Sequence, residues 1–163
     1  MQFLIFICFF ILLRLLELYI SARNEKWLLK NGAKEYGKEH YPFIVLLHTL
    51  FILCLITEYL WRSASDVNYF FLILFLLLIV IKSLVIFNLG KYWNTKIYKI
   101  PGIRPVNTGI YKYIKHPNYI IVICEIAFIP LAFNLYFTAV AFTLLNALML
   151  TIRIKKENEV LAL

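Results

Sequence analysis

Charge is scarce in this sequence: only 16% of its residues are Asp, Glu, Lys or Arg, against 63% hydrophobic. A soluble domain carries roughly one quarter charged and one half apolar residues, so a soluble globule is excluded. Glycine is sparse as well, and Gly32, Gly37, Gly90, Gly102 and Gly109 form neither a dinucleotide fingerprint nor a phosphate-binding loop. A Rossmann-type cofactor site is therefore excluded. The cysteines Cys8, Cys54 and Cys124 lie inside apolar runs without metal-ligand spacing, so they read as small apolar filler and no metal site is expected. Pro/Ser-rich linkers, low-complexity tracts and internal repeats are missing too. That leaves a single domain, and without an inverted repeat or paired broken helices it disfavours a transporter.

What the chain does have is long apolar runs. A bilayer core is crossed by about 20 apolar residues, so 163 residues hold four or five crossings with short connections and no separate soluble catalytic domain. Residues 2–22 open with the unbroken run Phe3 to Leu13 but lack the basic start and cleavage site of a signal peptide, so they are expected to be a retained first span. Residues 42–61 and 69–89 are the second and third spans. Residues 117–133 and 135–153, with Pro130 and Asn134 at the joint, predict a helical hairpin. The expected fold is all-α: an integral membrane helical bundle of about five transmembrane helices, the last two forming a hairpin, with a long loop, 90–116, before it.

The net charge of +8 raises nucleic acid as a partner, but the positions of the charges favour a membrane surface. Arg23, Lys26, Lys30, Lys34 and Lys38 fall in the first loop; Lys91, Lys96, Lys99, Arg104, Lys112 and Lys115 fall in the third; Arg153, Lys155 and Lys156 lie in the tail. Five crossings put all three segments on one side, which the positive-inside rule makes cytoplasmic, with the amino terminus outside. Trp27, Trp61 and Trp93 sit just beyond span ends, as interfacial anchors do.

Ionisable residues inside spans are functional candidates because burying them in lipid is costly. Arg14 and Glu17, three apart on one helix face, form an ion pair that either holds the first helix to the bundle or grips a polar headgroup; with Glu125 they are the candidate substrate-binding residues. Glu58 lies near a helix end and reads as reaching the interface. Lys82 either snorkels or faces an internal cavity, and His48 reads as a packing residue. The densest polar cluster is the loop Gly90 to Lys96 and Pro101 to Tyr119. Pro117 suits the first turn of a helix, which places Lys115 and His116 at an amino end that favours an anion. Arg153 and Glu157, four apart, share a helix face at the same level.

The block Thr108-Gly109-Ile110-Tyr111-Lys112-Tyr113-Ile114-Lys115-His116-Pro117-Asn118-Tyr119, the apolar hairpin, and then Arg153-Ile154-Lys155-Lys156-Glu157-Asn158-Glu159-Val160-Leu161 resemble the isoprenylcysteine carboxyl methyltransferase family. The front of the chain, with Arg14, Glu17, Ala22-Arg23-Asn24-Glu25, Gly32-Ala33 and His40-Tyr41-Pro42, is similar to its short bacterial branch. The resemblance implies a membrane enzyme of the bacterial plasma membrane that holds S-adenosyl-L-methionine in a cytoplasm-facing pocket. Val106, Gly109, Tyr111, Lys115, His116 and Tyr119 would bind the cofactor, and Arg153 and Glu157 would be catalytic. Lys115 stands for the family's usual Arg, Ile120 for a common Gly, and Asn158 for the second Glu of an acidic pair. The implied reaction is O-methylation of a lipophilic acceptor bearing a carboxylate or acidic enol, admitted sideways from the bilayer.

Two other readings stay open. Membrane sterol and steroid reductases also carry an H-P-N-Y element and bind NADPH there, although theirs commonly continues Tyr-x-Gly-Glu, whereas Tyr119 is followed here by Ile120 and Ile121. A non-enzymatic small lipid-binding membrane protein, its basic loop attracting anionic lipid, is the other. Neither the acceptor nor the oligomeric state is legible.

Overall fold

The computed structural model describes residues 1–62 and 66–162. Five helices account for most of it: α1 (Gln2–Lys30), α2 (Tyr41–Arg62), α3 (Tyr69–Leu89), α4 (Pro117–Ala132) and α5 (Tyr136–Ala162). A two-stranded antiparallel ladder of β1 (Lys34–Tyr36) and β2 (Ile97–Lys99) pairs Lys34 with Lys99, Glu35 with Tyr98 and Tyr36 with Ile97. Among the described residues α1, α2, α3 and α5 are long and apolar enough to cross a membrane. The chain is an all-α membrane helical bundle.

Direction alternates from helix to helix. Phe3 stacks on Tyr59 with centroids 3.8 Å apart and meets Phe133 edge-on at 5.0 Å, while the Asn68 amide donates to the Ala132 carbonyl at 2.8 Å. The start of α1, end of α2, start of α3 and end of α4 therefore share one end of the bundle, and the basic loops gather at the other. Phe6, Phe10, Phe51 and Phe75 continue this aromatic core inward, whereas leucines such as Leu12, Leu15, Leu53 and Leu77 are exposed. In a membrane those outward side chains meet lipid, so the helices need bury only the stripes that touch one another.

The α4–α5 hairpin turns where expected. Asn134 adopts φ 57°, a left-handed conformation that Asn tolerates better than most residues, and Leu135 N–H donates to the Pro130 carbonyl at 2.9 Å. At 16 residues, α4 is about 24 Å long against a hydrocarbon core of roughly 30 Å. Its amino end is consequently recessed beside α5, which runs on well past it. Two boundaries differ from expectation: α1 continues to Lys30, so Arg23, Lys26 and Lys30 are helical, and α5 continues to Ala162 rather than stopping near 153. The ladder, invisible to periodicity because each strand has three residues, ties the first loop to the third.

Glu58, expected to reach the interface, is buried and caps α5. Its carboxylate accepts from Phe137 N–H at 3.2 Å, Thr138 N–H at 2.8 Å and the Thr138 hydroxyl at 2.6 Å. Free amides at a helix start otherwise lack partners, and an anion there also meets the positive end of the helix dipole. His48 behaves as a packing residue, its Nδ1 lying 2.8 Å from the Ile44 carbonyl.

Deeper in the bundle, four charged side chains close a ring of alternating sign. Arg14 lies 2.7 Å from Glu17 and 2.7 Å from Glu125; Lys82 lies 2.7 Å from Glu17 and 3.0 Å from Glu125. The ring is neutral and joins α1, α3 and α4. Removing either cation strands an anion away from water. Lys82→Met should therefore lower unfolding stability in mild detergent by about 3–5 kcal/mol, and adding Glu125→Gln should recover much of the loss by restoring neutrality. Thermal denaturation of the two variants checks this, and an unchanged melting temperature for Lys82→Met would remove the ring's structural role.

Candidate functional site

The site starts with two helix ends that the hairpin sets side by side. Pro117 occupies the first turn of α4, where its missing N–H costs nothing, and His116 precedes it as the cap residue. Tyr119 follows three residues later on the same face. From α5, Arg153 and Glu157 sit one turn apart and project toward them. Arg153 Nε–H donates to the Tyr119 hydroxyl at 2.9 Å, and that hydroxyl donates to Glu157 at 2.5 Å. His116 Nδ1 stands 3.4 Å from Glu157 and its Nε2 3.0 Å from Asn158 Oδ1. The His116 ring stacks on Tyr119 with centroids 5.4 Å apart. The second Arg153 anchor is the carbonyl of Thr95, which accepts from Nη2.

This cluster forms one wall of a cavity of about 640 Å³. The loop before α4 supplies most of the rest, including Tyr92, Trp93, Tyr98, Lys96, Lys99 and Arg104, with Leu28 of α1 and Leu89 of α3 adding apolar surface. Electrostatics follow from the contacts. Hydrogen bonding to Glu157 is the largest influence on His116 and raises its pKa above the ordinary imidazole value, against the opposing effect of burial. Protonated, the ring donates from both nitrogens, to Glu157 and to Asn158. Burial and the Glu157 charge likewise push the Tyr111 hydroxyl up, so it stays neutral.

Seven of the residues singled out from the sequence line this one cavity: Val106, Tyr111, Lys115, His116, Tyr119, Arg153 and Glu157. Four others do not. Gly109 has φ 56° and stands so close to α3 that a Cβ would fall 2.6 Å from Asn88 Oδ1, so its service is to seat the loop on that helix. Arg14, Glu17 and Glu125 belong to the ring deeper in the bundle, where they border a second cavity of about 170 Å³. Of the positions that depart from the family pattern, Asn158 lines the main cavity and holds His116, while Glu159 pairs with Lys156 at 3.4 Å and does not line it. Ile120 is 50% exposed and outside the lining.

Two lining residues escaped the sequence reading. Trp93, expected to anchor at the interface, is only 2% exposed, and its indole N–H has no partner among the described residues. Asn118 Oδ1 is buried and likewise without a partner among the described residues. The second was hidden in plain view within His-Pro-Asn-Tyr; the first could be separated from Trp27 and Trp61 only by the polar run around it.

These features suit a small molecule that carries an aromatic ring and an anionic group. The volume lies within the roughly 300–1,000 Å³ typical of small-molecule sites. Tyrosine and tryptophan faces stack on a base and attract a cation, and lysines offer donors to a carboxylate.

Sequence comparison agrees with this architecture. Residues 71–163 match the model of the isoprenylcysteine carboxyl methyltransferase (ICMT) family. "Uncharacterized protein YpbQ" of Bacillus subtilis (strain 168) is 39% identical over 162 residues, covering 98% of this chain and 96% of that protein. An "Uncharacterized protein" of Haemophilus influenzae is 30% identical over 156 residues, covering 92% of this chain and 89% of that one. No solved structure matches. With the family match spanning the loop, the hairpin and every residue of the main cluster, the chain belongs to the isoprenylcysteine carboxyl methyltransferase family and is a membrane protein of methyltransferase type.

Proposed function

We propose that the protein is an S-adenosyl-L-methionine-dependent O-methyltransferase of the bacterial plasma membrane, acting on a lipophilic acceptor that bears a carboxylate or acidic enol. The observation that carries this reading is the convergence of His116, Tyr119, Arg153 and Glu157 on one aromatic, cationic cavity at the end of the bundle where the basic loops gather. The positive-inside rule makes that end cytoplasmic, the compartment that holds the cofactor.

When bound, the cofactor supplies an electrophilic methyl group on a sulfonium. Val106, Tyr111, Lys115, His116 and Tyr119 hold it, with Trp93 and Asn118 added to the set, and Gly109 acts by keeping the loop against α3. Two nitrogens of Arg153 are engaged by Tyr119 and Thr95; Nη1 takes part in neither bond and serves to orient a carboxylate. Glu157 accepts from Tyr119 and faces His116, which makes it a brace for the cluster rather than a general base. No strong base is required, because a carboxylic acid is ionised at neutral pH. The work of the site is alignment and exclusion of water. The acceptor's apolar tail stays in the bilayer beside α1 and α3, passing the cavity bordered by Arg14, Glu17 and Glu125.

Calorimetry on the detergent-purified chain tests the reading. S-adenosylhomocysteine should bind and NADPH should not; the reverse would favour a reductase, and binding of neither would favour a lipid-binding protein. Arg153→Ala should weaken S-adenosylhomocysteine about ten- to hundredfold, the worth of losing charged hydrogen bonds. Incubating membranes with methyl-labelled cofactor then identifies the acceptor.

A pH dependence follows from His116. Because its pKa is raised in the folded state, the stabilisation it provides is complete below the unfolded value of 6.5 and is lost as pH climbs through the higher folded value. Melting temperature measured from pH 6 upward should therefore show a decline that His116→Gln flattens; identical profiles for the two proteins would remove the charged imidazole from the account.

A further inference from the structure

The family match begins at residue 71 and leaves α1 outside it, yet α1 reaches the site. Ser21 and Asn24, three residues apart on one face near the basic end of α1, are each only 4% exposed. Buried polar side chains are costly unless bonded, and every bond described for these two, apart from the helix's own, goes to a single stretch of the loop before α4. Ser21 Oγ donates either to Asn94 Oδ1 at 3.1 Å or to Thr95 Oγ1 at 2.8 Å, and it accepts from the Thr95 amide at 3.1 Å. Asn94 Nδ2 returns a bond to the Ser21 carbonyl at 2.9 Å. Asn24 Nδ2 donates to the carbonyls of Gly90 at 3.0 Å and Trp93 at 2.7 Å.

The loop so gripped contains Thr95, whose carbonyl receives Arg153 Nη2, and Trp93, whose indole lines the cavity. Ser21 has one proton and its partners already occupy it, so it has no capacity to spare for a ligand. We infer that the Ser21–Asn24 face of α1 is the positioning element of the site: it fixes the backbone of residues 93–95, and the Thr95 carbonyl then determines where the Arg153 guanidinium stands. The relay from Ser21 to Thr95 and from Thr95 to Arg153 gives the arginine a fixed partner that its own flexible side chain cannot provide. The Ser21–Asn24 face of α1 thereby acts on the cofactor cavity through Arg153, neither residue lining the cavity itself.

This inference rests on the cofactor reading above, and a double-mutant cycle separates the two. S-adenosylhomocysteine affinity is measured by calorimetry on the full chain in detergent for the unaltered protein, Ser21→Ala, Ser21→Thr, Arg153→Ala and Ser21→Ala/Arg153→Ala. Ser21→Ala should weaken binding about tenfold, the worth of one to two buried hydrogen bonds. Ser21→Thr, which keeps the hydroxyl, should restore it. In the Arg153→Ala background the same serine change should cost less than about twofold, because its route to the ligand is gone. Equal losses in both backgrounds, or no loss in the first, overturn the positioning role. Should Ser21→Ala fail to fold, Ser21→Cys, which keeps the size of the side chain and weakens the same bonds, takes its place in the cycle with the same expectations. Absence of binding by the unaltered protein overturns the cofactor reading itself, a result distinct from either.

Discussion

Inside a bilayer no water answers a buried charge or a free amide, so each must be met by another part of the protein. That requirement organises this small bundle more than apolar packing does, since side chains facing lipid gain nothing by turning inward. The alternating ring of Arg14, Glu17, Lys82 and Glu125 joins three helices. Glu58 satisfies the start of α5 from α2. At the far end Arg153 finds its partners on α4 and on the loop. Apart from Arg14–Glu17, which lies within α1, these contacts tie together elements distant in sequence.

The cavity is a consequence of the same geometry. A short α4 beside a long α5 leaves the amino end of one next to the flank of the other, below the level at which the basic loop can fold over both. Histidine, tyrosine, arginine and glutamate meet there because the hairpin turn at Asn134 brings the two helices into register. The two-stranded ladder and the polar face of α1 then hold the loop in place. The fold thus builds its chamber from two helix ends and the loop before α4.

The helices were legible because long apolar runs admit few other structures, and the hairpin because Pro130 and Asn134 punctuate one such run. Arg153 with Glu157, and His116 with Tyr119, were legible as spacings on helix faces and as parts of ordered motifs. Trp93 was misread, since an indole after an apolar helix looks the same whether it meets headgroups or turns inward. Gly109 belongs to the motif yet stands behind the cavity, because a motif residue can act by packing the loop. Glu58 and Lys82 could be flagged as costly, but their partners lie on other helices and no local pattern names them.

What the amino-acid order determined by itself is the membrane bundle, its long apolar helices and the clustering of positive charge, because these depend on residue type and on spacing along one helix. What only the tertiary structure decided is which polar groups answer one another: the closure of the four-membered ring, the capping of α5 by Glu58, and the grip of Ser21 and Asn24 on the loop that seats Arg153. Those contacts join residues from different helices, and their selection belongs to packing in three dimensions.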